Sequence, residues 1–71
     1  MRKVDVIEPA EARRIREAAG LSQAGLAALV GVSQLSILRW ELGQTSPRPL
    51  QAQAWYSTLR RLERWQANPV P

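Results

Sequence analysis

Cysteine and histidine are both absent from this chain of 71 residues. Without cysteine there are no disulfides and no thiolate metal sites. Without histidine the chain lacks the usual general base and the commonest metal ligand, which argues against an enzyme. The six acids, Asp5, Glu8, Glu11, Glu17, Glu41 and Glu63, are scattered and form no pair at helical spacing with a ligand-like partner. No catalytic residues, metal ligands or cofactor site are therefore expected. No run approaches the roughly 20 apolar residues of a membrane span, and residues 1–7 lack the apolar segment of a signal peptide. The expected location is the cytoplasm, with no membrane partner.

Positive charge is in surplus. Ten basic residues stand against six acidic ones, for a net charge of +4 and a pI near 11.2. Such a balance suits a polyanionic partner but specifies neither fold nor sequence preference. Nine of the ten bases are arginine, Lys3 being the exception. Arginine contacts phosphate and guanine in a planar, bidentate manner, although a GC-rich genome yields the same bias. The length allows one domain with one small core. Chains of this size bury only about 60% of their unfolded surface, so an oligomer would add stability.

Local signals divide the chain into helices. Residues 1–8 read as an N-terminal arm, in which Val4-Asp5-Val6 alternates briefly like a short strand. Pro9 suits the first helical position, after which Ala12, Ile15 and Ala19 recur at helical spacing up to Gly20. Ser22 is a good N-cap for a second helix with Leu26, Ala27 and Val30 inward, stopped by Gly31. Ser33 caps a third helix, with Ile37 and Trp40 inward, ended by Gly43. Residues 44–49 read as a loop with two prolines. From residue 50 to 66, Ala52, Trp55, Leu59 and Leu62 repeat by three and four, predicting one amphipathic helix. The domain spans residues 9–66, and residues 67–71 read as a frayed tail. The fold class is all-α, a compact bundle of four helices, or five, with a long C-terminal helix.

Residues 20–43, GLSQAGLAALVGVSQLSILRWELG, carry the functional signal. Two short helices joined by a tight turn around Gly31 cross at a steep angle. Ala27 allows close approach at the crossing, and Val32 plugs the angle. The third helix then projects with its N-terminal residues free, and its width matches the roughly 12 Å major groove of B-DNA.

In these features the chain resembles the Xre-type helix-turn-helix regulators, which include lambdoid phage repressors and Cro proteins. The matching residues are Arg16, Leu21-Ser22-Gln23, Leu26-Ala27, Val30-Gly31-Val32-Ser33, Ile37, Trp40-Glu41, Gly43 and Pro47, over roughly residues 10 to 50. The ending from Trp40 to Pro47, followed by one uninterrupted helix, is also similar to the DNA-binding half of some bacterial antitoxins. The resemblance implies a lambda-repressor-like fold and a transcriptional regulator of bacterial or phage origin that binds double-stranded DNA. It implies that Gln23 grips a backbone phosphate and that Gln34 and Leu35 hold the first recognition positions, with Arg39 one turn on. Glutamine pairs with adenine N6/N7, arginine with guanine O6/N7, and Leu35 can touch only a thymine methyl. Ser33 and Ser36 suit phosphate, and Arg48 resembles an arginine near the backbone or minor groove. Arg16 and Glu41 resemble an ion pair bracing the recognition helix. With Leu38, these make the candidate DNA-binding set Gln23, Ser33, Gln34, Leu35, Ser36, Leu38, Arg39 and Arg48.

Three features depart from the family pattern. Gly25 stands where a capping-box Glu or Gln is usual. Leu35, Leu38 and Leu42 make the exposed side of the third helix unusually apolar, which supports a second reading as a protein-docking module, since apolar patches mark interfaces. The usual fourth and fifth helices are merged. A homodimer is expected, because two-fold proteins read two half-sites, and Tyr56 or Trp65 on the last helix is available as an anchor.

Overall fold

The computed structural model describes residues 7–67. The arm's alternating Val4-Asp5-Val6 and the tail from residue 68 onward lie outside the described residues. Four helices follow in order: α1 (Pro9–Ala18), α2 (Gln23–Val30), α3 (Gln34–Leu42) and α4 (Pro49–Ala67). No fifth helix interrupts α4, which starts one residue earlier than its apolar repeat suggests. Pro49 occupies the opening of this helix, where its fixed φ fits and no N–H is required. The Arg48 N–H donates to Gln51 Oε1 at 3.4 Å, closing the same end.

Each short helix is stopped by backbone chemistry. Ser22 Oγ accepts from Gly25 N at 2.9 Å, and Ser33 Oγ accepts from Ser36 N at 3.1 Å. Both caps satisfy N–H groups that lack an intrahelical partner. A Cβ at position 25 would stand 3.3 Å from Ser22 Oγ, so the missing capping-box side chain leaves room at the cap. Gly31 and Gly43 adopt φ of 88° and 74°, a region open chiefly to glycine. Their turns let Val32 N reach Ala27 O at 3.0 Å and Gln44 N reach Arg39 O at 2.9 Å, a Schellman-type closure.

The core is Ile7, Ala12, Ile15, Leu26, Ala27, Ile37, Trp40, Trp55 and Leu59, with Val30, Val32, Tyr56 and Leu62 packed against it. Trp40 and Trp55 meet with ring centroids 5.0 Å apart and planes tilted by 51°, within the range favoured by aromatic pairs. Tyr56 stacks on Trp55 at 5.4 Å, which leaves Trp65, 60% exposed, as the open aromatic of α4.

One core residue differs from the sequence reading. Ile7, assigned to the arm, is 2% exposed and belongs to the core. It precedes the N-cap Glu8, and Ala12 is the fourth helical residue. This is the spacing of a hydrophobic staple, which fixes how the chain enters a helix.

Candidate nucleic-acid interface

The third helix is held from behind by charge. Arg16 Nε donates to Glu41 Oε2 at 2.7 Å, and Arg16 Nη2 donates to Glu41 Oε1 at 3.0 Å. Arg16 Nη1 donates to the Leu21 carbonyl at 2.9 Å. Both ionic side chains are buried, and the bidentate geometry is the strongest form such a pair takes. The hydrogen bonding of Arg16 to the Glu41 carboxylate, aided by the negative charges of Glu41 and Glu17, raises the Arg16 pKa against the opposing effect of burial. One guanidinium thus ties α1, the turn before α2 and the end of α3.

A third donor completes the carboxylate. Gln23 Nε2 donates to Glu41 Oε1 at 3.2 Å. The family resemblance implies a phosphate for Gln23 and gives no sign of this partner, which lies 18 residues away in the chain. Arg16, Gln23 and Glu41 also line a cleft of about 170 Å3, together with Arg13, Leu38 and Leu42.

The outward side of α3 carries most of the candidate set. With 3.6 residues per turn, Ile37, Trp40 and Glu41 face inward and Leu35 stands near the middle of the opposite side. Gln34 and Leu38 flank it on one edge and Arg39 on the other. Gln34, Leu35 and Arg39 are exposed, whereas Ser36 and Leu38 are half-buried. Leu35 and Leu42 remain 49% and 57% exposed. Ser33 is exposed at the helix start, its Oγ 3.0 Å from Ser36 Oγ. Arg48 is exposed just before α4 and makes no hydrogen bond to the rest of the set.

Charge is sparse here. Within residues 18–47 only Arg39 and Glu41 are ionisable, and Glu41 is buried and paired. Arg39 therefore supplies the one exposed charge of the α2–α3 unit, while amides and hydroxyls supply its hydrogen bonds. Among the described residues no group of three or more acidic, histidine or cysteine side chains is placed to hold a metal. No helix among them is long and apolar enough to cross a membrane.

A family model described as helix-turn-helix matches residues 13–60, more than half of the chain. No curated protein and no solved structure matches it.

Proposed function

Because the chain belongs to the Xre-type helix-turn-helix family of Cro- and phage-repressor-like DNA-binding proteins, we propose that it binds double-stranded DNA sequence-specifically and regulates transcription. α3 enters the major groove. Gln34 reads adenine, Arg39 reads guanine and Leu35 meets a thymine methyl, the pairings that base-edge geometry favours. Leu38 lies beside Gln34 on the same edge of the helix. Gln23, Ser33, Ser36 and Arg48 contact phosphates, which fix register without reading sequence.

One observation carries this reading. The buried Arg16–Glu41 brace fixes α3 from inside, while Gln34, Leu35 and Arg39 stand free on its outside. A rigid helix with unspent amide and guanidinium groups on its open side is what direct readout requires. The apolar share of that side, Leu35 and Leu42, favours protein docking as the second reading.

Selection from a pool of random duplexes is the test. Enrichment of one motif, bound more weakly as salt is added, is the expected result. An unenriched pool whose binding ignores salt would favour docking to a protein.

The working unit proposed is a homodimer, since one recognition helix spans only a few base pairs. Trp65, exposed near the end of α4, is its candidate anchor. Sedimentation with a palindromic duplex should give two chains per duplex. One chain per duplex, with affinity untouched by Trp65→Ala, would contradict the dimer.

A further inference from the structure

Base reading by α3 leaves the cleft beside that helix unused. Leu38 and Leu42 form its α3 wall, and Arg13 and Arg16 line it from α1. Leu42 ends α3, beyond the residues assigned to bases, and is 57% exposed. An open leucine beside a cleft is the kind of apolar surface that marks an interface.

The two arginines of the lining differ in what they have left to give. Arg16 donates from Nε and Nη2 to Glu41 and from Nη1 to the Leu21 carbonyl. Arg13 donates only from Nε, to Glu17 Oε2 at 3.0 Å. Both members of that pair are more than half exposed, so solvent screens it. The Nη groups of Arg13 make no hydrogen bond among the described residues. They are the forked end of a guanidinium, which takes a carboxylate through two parallel bonds. The ionised groups of the lining, Arg13, Arg16 and Glu41, sum to a formal charge of +1. The cleft therefore presents two leucines and one available cation.

Its volume decides between kinds of guest. At about 170 Å3 it is smaller than the roughly 300–1,000 Å3 that encloses a small molecule. One side chain fits, and a larger surface carrying that side chain covers the open leucine as well. A backbone phosphate suits Arg13 but sets Leu38 and Leu42 against a charged group. An acidic residue beside an apolar one meets both halves of the lining.

We propose that this cleft docks a partner protein through one apolar side chain against Leu38 and Leu42 and a neighbouring Asp or Glu on Arg13. Docking there excludes DNA. Leu38 and Leu42 share one i, i+4 row of α3 with Gln34, so a protein resting on the leucines obstructs groove entry. The partner is thus an inhibitor of DNA binding. That inhibitory half rests on the reading of α3 as the groove-entering helix, whereas the docking half does not.

The test is selection of random peptides on the whole chain, followed by competition with the selected duplex. Peptides with Asp or Glu beside Leu, Ile, Met or Phe should be enriched. Arg13→Ala and Leu42→Ser should each weaken the selected peptide about tenfold, one by loss of a charged hydrogen bond and the other by loss of apolar cover. Arg14→Ala is the control for bulk charge, since Arg14 does not line the cleft, and should leave the peptide bound. Glu17→Gln should tighten binding by removing a rival carboxylate, a gain that no misfolded variant imitates. Adding the peptide should release the duplex competitively. A pool without an acidic–apolar motif, or acidic peptides weakened equally by Arg14→Ala, would overturn the docking. Arg13→Ala that lowers the salt slope on the duplex and spares the peptide would assign Arg13 to phosphate and overturn it too. Peptide and duplex bound together would overturn the inhibitory half alone. A peptide motif without any selected duplex would overturn the reading of α3, and with it the inhibitory half, while the docking stands.

Discussion

The two inner helices and the two outer ones differ in how they use charge. Residues 18–47, which contain α2 and α3, hold one exposed charge, Arg39, and one buried carboxylate, Glu41. The outer helices hold nine charged side chains, with Glu11, Arg13, Arg14, Arg16 and Glu17 on α1 and Arg60, Arg61, Glu63 and Arg64 on α4. Under the proposed function the difference separates two tasks. Base edges are read by short-range hydrogen bonds, for which neutral amides serve as well as cations. Phosphates are held by charge, whose sign matters more than its position. The Arg16–Glu41 pair is where the outer frame reaches the inner unit.

Breaking that link should have the largest effect. Glu41→Ala strands a buried guanidinium, and losing one partner of a buried pair costs about 3–5 kcal/mol. Denaturant unfolding should register a loss of that size, severe for a domain this small. Replacing both partners together, as Arg16→Met with Glu41→Leu, should recover most of it. Recovery of stability without recovery of DNA affinity would show that Glu41 also acts through Gln23. A stability change within error for Glu41→Ala would mean that the brace contributes nothing. The pair gains no pH sensitivity from Arg16, whose pKa is raised. Its stabilising charge is present below the ordinary arginine range and is lost only as pH rises beyond it.

Next in size is the loss of a reading residue. Arg39→Ala or Gln34→Ala should cost about 1–3 kcal/mol on the selected duplex and relax preference at one base pair. Gln34→Ala should change affinity for random duplex much less. Equal losses on both duplexes would assign Gln34 to the phosphates and break the separation of tasks. Ser33→Ala removes the cap of α3 and should cost about 1 kcal/mol of stability in the same unfolding measurement. A loss no larger than that of an exposed surface change would show that Ser36 N finds water as readily. Smallest in binding energy is Arg48→Ala, which should lower the salt slope by about one unit with equal weakening on both duplexes. A loss confined to the selected site would move Arg48 into the reading set.

Much of the frame was legible because its signals are local. Ser22, Ser33, Gly31 and Gly43 act within one helical turn, so a reader of the chain meets cause and effect side by side. Trp40 was placed in the core because it shares a face with Ile37, and the repeat through Trp55, Leu59 and Leu62 announced α4. The Arg16–Glu41 brace was reached through resemblance, since 25 residues separate its partners. Other features depended on how the helices cross. Gln23 meets Glu41 only once α2 has folded over the end of α3, and an uncharged amide leaves no pattern that names a distant partner. Ile7 was read as arm because the brief alternation of Val4-Asp5-Val6 hid a staple whose signal is two residues, Ile7 and Ala12. The cleft at Arg13 needs three helices to exist at all, although the i, i+4 pair of Arg13 with Glu17 was visible in the chain.

The separation of reading from gripping is tested most directly by affinity against salt, measured for the unaltered protein on its selected duplex and on random duplex. Two parallel lines falling steeply with salt are expected, since the slope counts phosphates that any sequence offers. The selected duplex should lie above the random one by a constant interval, supplied by base contacts that salt does not screen. Coincident lines would contradict base reading by α3, and flat lines would contradict DNA as the partner.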